Sequence, residues 1–218
     1  MRSRVALAFT VSLLLAASAH PLFAQETTTT QPSQGTDAVT EPQFFTMSAG
    51  WSSPVGGPVQ DTYKPGLTIA GSFRTGFAPS YLSGLEIGYS WYSLDGDNLS
   101  SLTPGTTYAG GDMGLLSVTT ENDYLFGTPS KPFRPLLNLG LGYYKSFIDD
   151  ATQTTGSTTT AFDTGVYKGS FFGFHAGIGG VIHKEKFGVR LDVNYVHLFA
   201  GGPDLEYFTA RGGIVLYM

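Results

Sequence analysis

The stretch FGVRLDVNYVHLF, Phe187 to Phe199, decides how this chain is read. Phe187, Val189, Leu191, Val193, Tyr195, His197 and Phe199 share one parity. Gly188, Arg190, Asp192 and Asn194 share the other, until Val196 turns apolar. Side chains of a strand alternate between two faces, so a sustained period of two predicts a β-strand with one apolar and one polar face. The closing segment repeats the pattern, with Phe208, Ala210, Gly212, Ile214, Leu216 and Met218 set against Tyr207, Thr209, Arg211, Gly213, Val215 and Tyr217.

The same alternation recurs towards the N-terminus. Phe45, Met47, Ala49 and Trp51 alternate with Thr46, Ser48 and Gly50. Leu67, Ile69 and Phe73 alternate with Thr68, Ser72 and Arg74. Leu85, Ile87, Tyr89 and Trp91 alternate with Glu86, Gly88 and Ser90. Leu137, Leu139, Leu141 and Tyr143 alternate with Asn138, Gly140, Gly142 and Tyr144, and Phe172, Phe174, Ala176, Ile178 and Ile182 with Phe171, Gly173, His175, Gly177 and Gly179. Residues 111–121 form a weaker strand whose parity the pattern leaves open. Eight strands result. Residues 75–82, 122–133 and 183–186 read as short or turn-like connections, residues 53–65, 93–110 and 148–168 as longer ones rich in Gly, Ser, Thr, Pro and Asp, and residues 200–204 as a tight closing turn. An up-and-down meander sorts turns to one end and loops to the other, as in transmembrane barrels.

Composition narrows the function classes. The 218 residues include no cysteine, which removes disulfide scaffolds, thiolate metal sites and thiol nucleophiles. A net charge of −5 argues against a nucleic-acid binder, which needs a basic face. Arg2 and Arg4, the apolar run from Val5 to Ala17 and the small residues before Gln25 form a secretory signal peptide over residues 1–24. Cleavage is expected after Ala24, with Ala19 as the alternative. Residues 25–42 are polar, open with Thr27 to Thr30, and cannot bury enough surface to offset their ordering entropy, so a flexible periplasmic leader is expected there.

Alternation alone does not say which face points inward. Glycines crowd the polar face (Gly88, Gly140, Gly142, Gly173, Gly177, Gly179, Gly188, Gly213), as a narrow interior crossed by large charged side chains requires. Aromatics sit near strand ends on the apolar face; Trp51, Trp91, Tyr143, Tyr195 and Phe199 are the expected interfacial residues. An exported chain without an apolar helix can span a membrane only as a closed barrel. The fold class expected is therefore all-β, an eight-stranded antiparallel up-and-down transmembrane barrel over residues 43–218, with a soluble periplasmic carrier as its rival.

The closing segment RGGIVLYM, Arg211 to Met218, resembles the C-terminal signal read by the barrel-assembly machinery, with Arg211, Gly213, Leu216 and Met218 in the matching places. The family usually ends in an aromatic residue, where this chain has Met218. The segment from Arg134 to Tyr143 also resembles a recurring strand of that family. Over residues 43–218 the chain is similar to the small outer-membrane barrels of the OmpA/OmpX type. The resemblance implies an outer-membrane location with both termini periplasmic, a monomer, and outer-membrane lipids, lipopolysaccharide and the assembly machinery as partners; it implies neither cofactor nor nucleic acid.

Candidate chemistry is sparse. Arg74, Glu86, Arg190, Asp192 and Arg211 share the inward parity and are expected to form a lumen charge network, because buried charges must be paired. Strand counting sets Arg211 opposite Asn194 or Asp192, and Arg190 and Asp192 opposite Gly179 and Gly177. A gated pore lined by these charges is the alternative to a closed lumen. His197 faces outward near the extracellular rim, as in outer-membrane lipid A deacylases, but the run His197-Leu198-Phe199-Ala200 lacks the hydroxyl nucleophile that a Ser–His mechanism activates. His175 reads as an interior hydrogen-bonding residue. Asp95-Gly96-Asp97-Asn98 and Asp149-Asp150 lack the calcium-loop pattern and read as solvated loop tips. The Thr-rich residues 151–164 are expected to be mobile. No catalytic residue and no metal site is assigned. The expected function is non-enzymatic, a structural or surface-contact role through loops 93–110 and 148–168, with lipid modification or small-solute passage as alternatives.

Overall fold

The computed structural model describes residues 42–164, 167–184, 186–200 and 205–218. The expected signal peptide and almost all of the expected leader lie outside the described residues. Eight strands close a barrel: β1 (Gln43–Pro54), β2 (Gly66–Ala78), β3 (Tyr81–Tyr92), β5 (Met113–Leu125), β6 (Phe133–Ile148), β9 (Gly169–Lys184), β10 (Phe187–Phe199) and β11 (Leu205–Tyr217). Every neighbouring pair is antiparallel, and β11 pairs with β1 to complete the circuit. Closure matters because each edge donor and acceptor then has a partner, the condition for strands to cross lipid. No described helix is long and apolar enough to cross a membrane.

The strands run longer than the sequence pattern shows. Strands β2 and β3 are joined at Pro79-Ser80, and β5 continues to Leu125, so most of residues 75–82 and part of 122–133 are wall, not connection. The long connections are also built. Helix α1 (Gly57–Thr62) follows β1, and helix α2 (Gly96–Leu102) follows β3. Strands β4 (Thr106–Gly110), β7 (Ala151–Thr155) and β8 (Thr158–Phe162) form a separate three-stranded sheet at the loop end. Residues 151–164, expected to be mobile, thus contain a paired hairpin. Its threonines are partnered across the strands: Thr106 with Thr155 at 2.8 Å and Thr154 with Thr159 at 2.9 Å.

Two registers refine the sequence reading. Arg211 lies opposite Asp192. Arg190 lies opposite Val181 and Asp192 opposite Gly179, two residues from the expected partners, because the β9–β10 hairpin pairs Phe187 with Lys184. A shift of two keeps every side chain on its face, so the sorting into inside and outside survives the miscount. The unresolved parity of β5 is settled: Thr119, Glu121 and Asp123 are buried inside, while Val118, Thr120 and Tyr124 face out.

The outward face is apolar around most of the circuit. Met47, Ile69, Leu85, Ile87, Leu139, Ile178, Leu191, Val193 and Ile214 are exposed on it, several by more than half. A belt of that extent does not occur on monomers surrounded by water and matches the lipid-facing wall of a transmembrane barrel. Val193 is midway along β10 and 49% exposed. Replacing it with arginine is expected to cost about 2–4 kcal/mol in a bilayer, read by urea unfolding from lipid vesicles; a soluble barrel would show no comparable loss.

Candidate functional site

The interior is divided into two layers. The layer nearer the chain ends is charged, and seven strands supply it. Arg74 from β2 is 1% exposed, and Glu121 and Asp123 from β5 are fully buried. Arg74 Nη2 lies 3.1 Å from Glu121 Oε2, Arg74 Nε lies 3.2 Å from Asp123 Oδ2, and Glu86 Oε2 of β3 is 3.6 Å from Arg74 Nη2. Arg190 grips Asp123 with both terminal nitrogens and reaches Asp192 through Nε at 2.8 Å. Arg211 of β11 closes the circuit, pairing with Glu86 and with Asp192 at 3.1 Å. Neutral groups take up remaining valences. Asn138 Nδ2 donates to Glu121 at 2.7 Å and Asp123 at 2.6 Å, Asn194 Nδ2 donates to Asp192 at 2.6 Å, and His175 Nε2 is 3.1 Å from Glu121 Oε1.

The five residues singled out in the sequence therefore meet in one network, but its centre is the pair Glu121 and Asp123, which the sequence reading did not single out. Glycines make the room. A Cβ at Gly140 would overlap the His175 ring, and one at Gly177 would overlap Asn194. An isolated charge in so dry a place costs several kcal/mol, which is why the network is multiply paired and hydrogen-bonded.

The layer nearer the loops is apolar and aromatic. Val59 of α1 and Tyr63 at its C-terminal end pack with Tyr92, Met113, Tyr144, Phe171, Leu198, Leu205 and Tyr207. Burial pushes the Tyr63 phenol up to about 12, so this plug carries a neutral hydroxyl at any ordinary pH. Between the two layers remains a cavity of about 50 Å³, lined by Glu86, His175, Asn194, Tyr144 and Tyr207 among others. That is room for a few water molecules and not for a metabolite.

The remaining candidates resolve into structure. His197 Nδ1 is 3.3 Å from Glu206 Oε1 and 3.4 Å from the Tyr195 hydroxyl, with the Phe174 ring tilted beside it and the Phe199 ring edge-on. This dyad has an acid partner, yet none of these groups is a serine or threonine nucleophile. Asp95 caps α2 by accepting from the Asn98 amide at 3.1 Å, and Lys64 pairs with Asp97 at 3.0 Å, so this acidic run serves a helix end and a surface ion pair. Trp51, Trp91, Tyr143 and Phe199 are exposed on the outer wall, with Tyr195 half-buried among them. Gly213 lies where a Cβ would meet the Met47 carbonyl and Ser48, while Leu216 and Met218 face outward beside it and Arg211 points into the network. Among the described residues no cluster of three His, Asp or Glu side chains could hold a metal ion.

Breaking this network one-sidedly has a definite consequence. Arg190→Met removes one of the two guanidiniums paired with each of Asp123 and Asp192, leaving Arg74 and Arg211 as their remaining cations, and is expected to cost about 3 kcal/mol; the double variant Arg190→Met/Asp123→Leu should cost less than the sum of the two single changes. Urea titration followed by the mobility of the unheated protein on a gel measures both.

No protein-family profile matches the sequence, and no curated protein matches it. Solved structures do match in shape. The Neisserial surface protein A (NspA) structure aligns with a TM-score of 0.52 at 12% identity, covering 80% of this chain and 96% of that one. OprG, an outer membrane protein of Pseudomonas aeruginosa, aligns with a TM-score of 0.50 at 14% identity, covering 82% and 97%. At such identities the likeness concerns the path of the backbone, and it agrees with the closed circuit, the apolar exterior and the filled interior: this chain has the fold of the small eight-stranded outer-membrane β-barrels.

Proposed function

We propose that this protein is a non-enzymatic β-barrel of the Gram-negative outer membrane that acts through the surface of its loop end. The observation that carries the reading is a barrel apolar outside and filled inside. The charged layer and the aromatic plug, as far as the described residues go, leave between them a cavity of about 50 Å³, too small to hold a solute. What remains for contact with other molecules is the loop end, where α2 and the β4–β7–β8 sheet present exposed Thr, Ser and Asp side chains. The two structural neighbours, named as a surface protein and an outer membrane protein, support the location.

In this reading both barrel ends of the chain, Gln43 and Met218, which exchange backbone hydrogen bonds, lie on the periplasmic side. Arg211, Gly213, Leu216 and Met218 form the segment that the assembly machinery recognises, and Trp51, Trp91, Tyr143, Tyr195 and Phe199 lie at the interface with lipid and lipopolysaccharide. The protein works as a monomer without cofactor. Lipid modification is the weaker reading, because the run His197-Leu198-Phe199-Ala200 carries no serine or threonine hydroxyl for the His197–Glu206 pair to activate.

The native chain contains no cysteine, so single cysteines report topology cleanly. Ser157→Cys, between β7 and β8, should react with a membrane-impermeant maleimide on intact cells, and Ser130→Cys, between β5 and β6, only after the outer membrane is opened. The reverse pattern would overturn the orientation. Planar-bilayer recordings of the purified barrel should show no stable conductance; steady channels would restore the pore.

A further inference from the structure

The two ends of the barrel carry opposite charge. At the loop end carboxylates such as Asp61, Asp97, Asp149 and Asp150 predominate. At the other end, where the short turns lie, the described residues add Lys131, Arg134, Lys184 and Lys186 and no exposed Asp or Glu side chain; Glu185 lies outside the described residues. Arg134 is committed to the wall, its Nη2 donating to the carbonyls of Pro79 at 2.8 Å and Leu125 at 3.2 Å. The three lysines are not. Lys184 follows Ile182 on the outward face of β9 and pairs across the hairpin with Phe187. The β6–β9 ladder pairs Phe133 with Ile182 and continues as the His183 amide donates to the Pro132 carbonyl at 2.7 Å, which brings Lys131 level with Lys184. Lys186 stands in the same turn, its carbonyl accepting from the Tyr217 amide at 3.1 Å. All three lysines are exposed, and among the described residues none has an ion-pair partner.

Like charges set opposite one another repel, so a basic row without counter-ions is a place for an anion. Beside it the outer wall is apolar, with Phe133, Ile182 and Phe187 exposed to the membrane. Lysine stems can lie along such a surface and hold their ammonium groups at headgroup level. We propose that this row binds an anionic glycerophospholipid of the periplasmic leaflet. Its phosphate lies among the ammonium groups of Lys131, Lys184 and Lys186, and its acyl chains run along Phe133, Ile182 and Phe187. A phosphoethanolamine headgroup balances its phosphate with its own ammonium and brings like charge to the lysines, so it gains less. The proposal rests on the reading that the turns are periplasmic, the side on which the outer membrane presents glycerophospholipid, and goes beyond it by naming the lipid class and the residues that hold it.

The test is native mass spectrometry of the full barrel, released from mixed micelles holding equal amounts of phosphatidylglycerol and phosphatidylethanolamine. Phosphatidylglycerol should be retained about 5-fold or more above its competitor, the size expected when even one lysine acts on an anionic headgroup. Lys131→Gln/Lys184→Gln/Lys186→Gln should abolish the preference, and Lys145→Gln/Lys168→Gln at the loop end should leave it unchanged. Equal retention of the two lipids, an unchanged preference in the triple variant, or its loss in the loop-end variant overturns the proposal. Heat-modifiable gel mobility confirms that each variant is folded. Micelles have no sides, so the two readings fail separately. A retained preference combined with labelling of Ser130→Cys on intact cells would overturn the orientation and the leaflet with it, whereas the expected labelling without any preference would overturn the lipid site alone.

Discussion

The pairing of three buried guanidiniums with four buried carboxylates is the constraint on which the rest of the structure depends. A wall whose outer face is hydrocarbon-like leaves the charged side chains of its strands nowhere to go but inward. Once inside, each must find a partner, and Arg74, Arg190 and Arg211 do so with Glu86, Glu121, Asp123 and Asp192 in one connected group. The network ties β2, β3, β5, β10 and β11 together across the lumen, so the barrel is held by its contents as well as by its backbone ladder. Glycines on the inner face follow from the same constraint, because a narrow interior cannot hold a guanidinium on one strand and a Cβ pressed against it from the next.

A polar stripe on the outer wall obeys the same rule. Thr120 and Asn122 of β5 face the membrane side but satisfy one another's surroundings. Asn122 accepts from the Tyr81 and Ser83 hydroxyls at 2.8 and 3.0 Å, and the Thr120 hydroxyl both donates to the Leu141 carbonyl and accepts from its amide. The ladder pairs at Thr120 and Glu121 are missing from the β5–β6 register, and the threonine side chain takes their place. Polar groups whose bonds are closed among themselves can face lipid without the penalty of an unmet donor.

That stripe also explains what could be read from the sequence and what could not. Strands β10 and β11 alternate cleanly, so parity sorts Arg190, Asp192 and Arg211 onto one face, the glycines crowding that face turn it inward, and a difference of two residues in hairpin counting does not disturb the placement. In β5 the outward positions carry Thr120 and Asn122 where a hydrophobic residue would mark the face, so the alternation dissolves and Glu121 and Asp123 are hidden with it. The usable signal was Val118 and Tyr124 flanking Thr119, Glu121 and Asp123 at a spacing of two. The loop elements left no periodic trace for a different reason. Helices α1 and α2 span fewer than two or barely two turns, and β7 and β8 carry threonine on both faces, so there is no contrast between inside and outside to detect.

The central claim is that the greasy side of this barrel looks outward. Refolding from urea, with and without lipid vesicles, tests it most directly. The protein should gain strand content and heat-modifiable mobility only when vesicles are present, and should aggregate in plain buffer. A monodisperse, folded monomer recovered from buffer alone would mean that water, not lipid, is the solvent of the outer wall, and would contradict the account.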